Sequence, residues 1–415
     1  MVRWWPLTAR GTGALLLSGL CFVLAHELGV TELLYFGVLL LAVVLASLAA
    51  VSLTRRTDTV ARTINPEVAQ VGEASIVTTR VGVRTAVPTP PGTWHDTMPK
   101  GLAGAADGVL PAISSAFRNG ERTVEVTYEV TGEIRGTRSI GPFFIKTSDP
   151  FGLAVRRTRF DTRTLVTVAP ALVDVSALSH FTGESGGLLH SETTQLGQGA
   201  DNLVARPYAS GDSMRRIHWR ATAHRDALMV RQEEQESTPE ATVVLDRSGE
   251  RWGRQARYAP GGDDAFEAAV SACVSVVARL VRDGYTVEVI DSDGTVLIER
   301  INGGDVAELD EMLTQFADVT ARRGDDLPDL ARLFAGATTG PVVVITGQLS
   351  STDADALAPA VHHSTLPVLF AVIPDAHALA AASDSGWHVG QIEVEGDFAD
   401  AWRDATGQGA SHVVA

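Results

Sequence analysis

Three groups of side chains in this 415-residue chain have the types and spacing to do chemistry. The densest is Arg206, Arg215, Arg216, Arg220, Arg225 and Arg231. Guanidinium forks grip carboxylate and phosphate in bidentate pairs, so this cluster reads as an anion site. Asp212, Asp226, Glu233, Glu234 and Glu236 are interleaved with it, which supports a second reading, an internally paired network. His218 and His224 could ligate a metal, but no Cys or further His stands near them to complete a set. The third group is Asp246 and Ser248, just past the apolar run 241–245, where open α/β sheets hold their ligands. There is no Gly-rich phosphate loop, no Gly-x-Ser-x-Gly elbow and no His-Glu-x-x-His helix.

The elements that must position these groups can be read from pattern and charge. The composition is 45% hydrophobic and 20% charged, which excludes global disorder, and the length suits two or three domains. Two cysteines exclude a disulfide scaffold and suit a reducing compartment. The net charge of -16 argues against wrapping nucleic acid, whose phosphates demand an excess of Lys and Arg. That charge is localised. Residues 1–240 carry 23 basic and 23 acidic side chains, whereas residues 241–415 carry 11 and 27. The C-terminal part is therefore repelled by anionic lipid and drawn to basic partner surfaces.

Two apolar runs, about 11–30 and 33–53, each approach the ~20 residues that span a bilayer. No small-residue cleavage site separates them, so a transmembrane hairpin over 1–56 is expected rather than a removed signal peptide. Arg3 and Arg10 precede the pair, Arg55, Arg56 and Arg62 follow it, and the turn carries Glu27 and Glu32. The positive-inside rule then makes the chain a multi-pass protein of the cell membrane, with both termini and the soluble domains cytoplasmic and the lipid bilayer as a partner. Residues 57–170 have strand character, with alternation over 124–130, and predict an all-β sandwich. Residues 171–240 form a connector that contains the Arg cluster, with Ser210 or Asp212 expected to cap a short helix over 215–220 and Trp219 expected to be a packing anchor. From 241 to 415 strands alternate with amphipathic helices, which predicts an α/β domain on a mostly parallel sheet.

An ordered series of residues carries a resemblance. Arg135-Gly136, Gly141-Pro142 and Asp149-Pro150-Phe151-Gly152-Leu153 are followed by Arg206, Tyr208, Gly211, Asp212, Arg215, Ile217, Trp219 and the run Leu228 to Arg231. Together they resemble the bacterial "domain of unknown function 58" family. The resemblance implies a multidomain membrane protein with a transmembrane helical hairpin, an all-β sandwich and an α/β von Willebrand factor A-like (Rossmann-like) domain. It implies a MoxR-type AAA+ ATPase as partner, in assembly or maturation of other proteins. Their mixture of opposite charge and an aromatic anchor makes Arg206, Asp212, Arg215 and Trp219 the residues expected to organise the junction between sandwich and α/β domain. His218 stands where the family more often shows Asp.

The von Willebrand A fold implies a Mg2+ site built from an Asp-x-Ser-x-Ser loop with a Thr and an Asp from later loops. Here the candidates are Asp246, Ser248, Glu250 and Thr346. Glu250 replaces the second Ser, and Gly347 rather than Asp follows Thr346. The expectation is a degenerate site with no cofactor required, Mg2+ being the cation it would take. The plain alternative is that Asp246 and Ser248 cap the next segment or bind Arg247. Two function classes follow: a membrane-anchored interaction or adaptor protein with no catalytic residues, and, as the alternative, a metal-dependent hydrolase using Asp246, His218 or His224.

Overall fold

The computed structural model describes residues 5–53, 57–84, 91–112, 122–178, 203–208, 214, 217–225, 227–233, 239–335 and 339–407. They gather into two compact units. The first takes Met1–Leu172 with two later excursions, Gly253–Ser271 and Asp310–Arg322, and the second takes Val173–Trp252, Ala272–Leu309 and Arg323–Ala415.

In the first unit, α1 (Ala9–Leu28) and α2 (Thr31–Leu53) form a hairpin. Both helices are long and apolar enough to cross a membrane. Thr8 caps α1 by accepting from the Gly11 amide at 3.1 Å, and Gly29, at φ 65°, ends it in the left-handed region that favours glycine. Inside the pair the Ser18 hydroxyl donates to the Gly37 carbonyl at 2.8 Å, so a buried polar group is satisfied between the helices.

Eleven short strands follow: β1 (Thr57–Asn65), β2 (Val68–Gln70), β3 (Ala74–Arg84), β4 (Gly92–Asp96), β5 (Leu102–Ala103), β6 (Asp107–Leu110), β7 (Arg122–Gly132), β8 (Gly136–Ile140), β9 (Phe143–Ser148), β10 (Val155–Phe160) and β11 (Thr164–Ala169). They make sheets ordered β1-β3-β7-β5, β10-β9-β4-β6 and β2-β11-β8. Alternation decides which face is buried. Val126, Tyr128 and Val130 point inward from β7, and Phe143 and Ile145 from β9, into a core shared with Val77, Val81 and Trp94. This is the expected sandwich.

Arg62 needs a correction. Its place after the hairpin suggested a flanking charge, but it lies on β1 with a fully buried side chain. It holds Asp96 through two hydrogen bonds of 2.8 and 2.9 Å, and Tyr128 donates its hydroxyl to the same carboxylate at 2.7 Å. Burial and the neighbouring Asp96 push the Tyr128 phenol above its ordinary value. Tyr128→Phe removes a hydrogen bond to a charged acceptor and is expected to cost about 1.5–3 kcal/mol, read as a lower Tm with an unchanged fold. An unchanged Tm would show that solvent replaces this donor.

In the second unit β12 (Leu203–Pro207) and β13 (Met229–Glu233) pair as an antiparallel ribbon around α3 (Trp219–Arg225). The α/β part of the chain follows as β14 (Glu240–Leu245), α4 (Asp264–Arg282), β15 (Thr286–Asp291), β16 (Val296–Ile301), α5 (Val306–Phe316), β17 (Thr339–Leu349), α6 (Ser351–Leu357), β18 (Ser364–Pro374), α7 (Ala378–Asp384), β19 (His388–Gln391) and α8 (Phe398–Ala405), the start of α4 and the end of α5 belonging to the first unit. Its sheet runs β16-β15-β14-β17-β18-β19, parallel except for the edge strand β16. This is a doubly wound, Rossmann-like order, and it reverses between β14 and β17. The central strands are buried on both faces: Val243, Val244, Leu245, Val343, Val344 and Ile345 are all at 0% exposure, which explains their unbroken apolar runs. The apolar side of α4, including Phe266, Cys273 and Leu280, is buried as its period predicts, and burial pushes the Cys273 thiol up, leaving it inert.

Candidate functional site

The switch between β14 and β17 brings their carboxyl ends together. Asp246, the first residue past β14, donates its amide to the Ile345 carbonyl on β17 at 2.9 Å and is completely buried. One carboxylate oxygen accepts from the Ser248 amide at 3.0 Å and the Ser292 hydroxyl at 2.8 Å, and the other accepts from the Thr346 hydroxyl at 2.7 Å. Asp291, ending β15, accepts from the amides of Arg247 at 3.1 Å and Ser292 at 2.7 Å. Ser248 and Ser292 hydroxyls lie 3.2 Å apart. Burial raises the Asp246 carboxyl above its ordinary range, against the hydrogen bonds from Ser248, Thr346 and Ser292.

A guanidinium fills the mouth of this site. The Ser248 carbonyl accepts from the Arg251 amide at 3.0 Å, closing a turn with Glu250 at its outer corner. The chain reverses and Arg251 is carried inward, with a side chain 6% exposed. Its Nε lies 3.5 Å from Asp246 Oδ2. Its two terminal nitrogens hold Asp353 in a bidentate pair, both at 2.9 Å. Asp325 accepts at 2.8 Å and the Gln348 carbonyl at 2.9 Å. Asp353 is in turn fixed by a capping box with Ser350 at the start of α6. The Arg251 hydrogen bond holds the Asp353 carboxyl down at about 2, and Arg251 itself stays charged.

The site residues expected from sequence divide accordingly. Asp246, Ser248 and Thr346 converge. Glu250 does not, because the turn that delivers Arg251 leaves it exposed. Gly347, beside Thr346, leaves no room for a side chain: a Cβ there would lie 2.3 Å from the Arg251 carbonyl and 2.8 Å from the Trp252 ring. The residues present do not fit Mg2+. The ion demands oxygen ligands near 2.1 Å in octahedral array, but both Asp246 oxygens are engaged by hydrogen-bond donors and a permanent cation sits beside them. Among the described residues no cluster of three or more Asp, Glu, His or Cys could hold a metal. Sequence reasoning missed Arg251, Asp291, Ser292, Asp325 and Asp353. Two signals were available: Asp291-Ser292 follows an apolar strand as Asp246 does, and Ser350-x-x-Asp353 is a capping box after β17.

Of the signature residues, Gly211, Asp212 and Arg215 lie outside the described residues. Arg206 and Arg231 occupy facing strands, with Arg206 opposite Val230 and Ala205 opposite Arg231. Tyr208 donates its amide to the Leu228 carbonyl at 2.8 Å, and Ile217 is buried and bridges Val230. Trp219 corrects an expectation: it is 69% exposed as the first residue of α3, so it anchors no core. Ser210 and Asp212, expected to cap a helix over 215–220, lie outside the described residues. His218 Nδ1 accepts from the Ala221 amide at 3.0 Å, the job an Asp does at an N-cap. His218→Ala should cost about 0.5–2 kcal/mol and His218→Asp should restore it, both measured by chemical denaturation. A null effect of His218→Ala would remove the capping role.

The family whose model matches the chain is described as "Protein of unknown function DUF58", over residues 204–370. Over that segment the chain is similar to this family. The match begins on β12 and runs into β18, so it contains both the ribbon and the Asp246–Arg251 site. No curated protein sequence matches the chain. Among solved structures, the von Willebrand factor type A protein from Catenulispora acidiphila is similar at 15% identity and a TM-score of 0.29, covering 41% of this chain and 42% of its own. The present chain thus spans 42% of that protein's length. A cohesin module from a Clostridium perfringens family 33 glycoside hydrolase is similar at 11% identity and a TM-score of 0.16, covering 28% of this chain and 97% of its own.

Proposed function

We propose that this DUF58 protein is a membrane-anchored adaptor whose cytoplasmic domains bind a MoxR-type AAA+ ATPase without a metal ion. The observation that carries this reading is Arg251. In a metal-bearing domain of this fold a cation at the switch point would be recruited with the ligand; here a guanidinium built into the chain supplies the charge. The site is complete within the chain and does not depend on a recruited ion. The charge excess of residues 241–415 supports a basic partner surface. No observation favours the hydrolase: Asp246 is buried and fully engaged, and His218 caps a helix.

Two measurements test this. The full chain in nanodiscs is titrated against the ATPase at fixed nucleotide state, at two salt concentrations and after chelator treatment of the adaptor alone. Binding should weaken as the Debye length falls from ~10 Å at 0.1 M to ~3 Å at 1 M salt, and the chelator should change nothing. Salt-insensitive or chelator-abolished binding overturns the account. A reporter fused to the C-terminus should be active in the cytoplasm; an external C-terminus would place the domains where no such ATPase is found.

A further inference from the structure

The turn Asp149-Pro150-Phe151-Gly152-Leu153 belongs to the family signature, yet it lies far along the chain from the Arg cluster. Its geometry ties it to the hairpin. Asp149 accepts from the amides of Phe151 at 2.9 Å and Ala154 at 2.6 Å, closing the turn on itself. The outer carbonyls then receive the start of α1: Thr8 donates its amide to Leu153 at 2.8 Å and its hydroxyl to Gly152 at 2.7 Å. A Cβ on Gly11 would lie 2.1 Å from the Leu153 carbonyl, so only glycine permits this approach. The next residues pair as well, with Val155 donating to Pro6 at 2.7 Å and Arg156 to Val51, at the last turn of α2, at 3.4 Å. The turn is therefore fixed at the end of the hairpin where both helices meet the sandwich strands.

Two kinds of exposed side chain stand at this end. Phe151 is 63% exposed at the tip of the turn, and Trp5, 58% exposed, stands beside the first turn of α1. Beyond them, Lys146 on β9 and Arg157 on β10 are directly opposite in the antiparallel register, and both are exposed. Like charges placed this way repel. Among the described residues neither has an ion-pair partner. Arg157 lies two residues past Val155, about 7 Å along the strand at ~3.3 Å per residue. The polar layer on each side of a ~30 Å hydrocarbon core has a comparable depth, about 5–8 Å.

We propose that this end of the molecule is a second membrane contact: Phe151 inserts at the headgroup–acyl boundary and the Lys146–Arg157 pair binds the phosphates of anionic lipids. The inference rests on the hairpin crossing the bilayer. Apolar side chains at that depth and cations at the phosphates are the two forces that seat a protein surface on a membrane. Held so, the sandwich is oriented on the bilayer and does not swing on the hairpin.

The test uses the full chain reconstituted in vesicles, with Phe151→Cys carrying a nitrobenzoxadiazole label. Cys21 and Cys273 are both buried and leave the label on one site. The label should be quenched more by lipid nitroxides near the headgroup than by nitroxides deep in the acyl chains, and more in vesicles containing phosphatidylglycerol than in pure phosphatidylcholine. Lys146→Gln with Arg157→Gln should reduce the docked population in anionic vesicles by about fivefold per charge removed, leaving the Tm in place because both side chains are exposed. A water-like label unaffected by either quencher, in chains that resist alkaline extraction, overturns the inference alone. Quenching that is indifferent to lipid charge and to the double variant overturns the role of the basic pair. Release of the wild-type chain by alkaline extraction overturns the membrane anchor itself and this contact with it.

Discussion

Arg251→Ala is expected to destabilise the full chain by about 3–5 kcal/mol, because it strands a buried carboxylate that the fold cannot expose. Asp246 is completely buried, and Asp353 is fixed by its capping box, so neither can turn to water. The loss should depend on pH with a definite sign. In the wild type the depressed Asp353 carboxyl contributes stability that is fully present near neutrality and is lost as the pH falls from about 4 towards about 2. Asp246, raised by burial, acts oppositely: its protonation relieves a cost. Without Arg251 the Asp246 carboxyl rises further, so the gap between variant and wild type should narrow on acidification. Denaturant titrations across that range measure it. A gap that is constant with pH would show that the loss is packing alone.

The second large effect is expected at Arg135, in the Arg-Gly pair of the signature. Its side chain is 1% exposed and ion-paired to Glu267 at 2.7 Å, with Nη1 donating to the Phe316 carbonyl at 3.0 Å and Nη2 to the carbonyl of Val319. The guanidinium also lies over the Phe266 ring, 5.5 Å from its centroid. Beside it Asp318 accepts from the Thr137 amide at 3.0 Å and hydroxyl at 2.7 Å. Glu267 lies in the excursion Gly253–Ser271, and Phe316, Asp318 and Val319 lie in Asp310–Arg322. One side chain thus holds both excursions within the first unit. Burial lowers the Arg135 pKa from its ordinary value, against the pull of Glu267, yet the group stays charged. Arg135→Ala should cost about 3–5 kcal/mol and should raise hydrogen exchange and proteolysis in 310–322 before the sandwich core. If the variant lost stability uniformly, or not at all, Arg135 would not be the tie.

These two sites show what a sequence can and cannot disclose. The alternation of 124–130 and the apolar runs 241–245 and 341–345 announce strands because periodicity is a local property that burial enforces. Asp246 is legible for the same reason, being the polar residue that ends a buried strand. Arg251 is not. Asp325 lies 74 residues away and Asp353 lies 102 away, and only the topology brings them to one guanidinium. Spacing alone nominates Glu250, and a single turn reverses the outcome. Arg135 is hidden likewise, since its carbonyl partners are more than 180 residues distant. Trp219 misleads in the other direction: its residue type suggests a core anchor, whereas its position at the start of α3 turns it to solvent.

The account stands on Arg251 acting as the cation of the switch-point site. The most direct measurement is a manganese titration of the full chain, followed by calorimetry and by Tm, in the wild type and in Arg251→Ala. The wild type should bind no ion saturably and show no shift in Tm at millimolar metal. Arg251→Ala, with Asp246, Asp353 and the Ser248 and Thr346 hydroxyls left facing the vacated space, should regain part of its stability with manganese or with guanidinium. Saturable binding by the wild type that Asp246→Asn abolishes would contradict the account and return the site to metal.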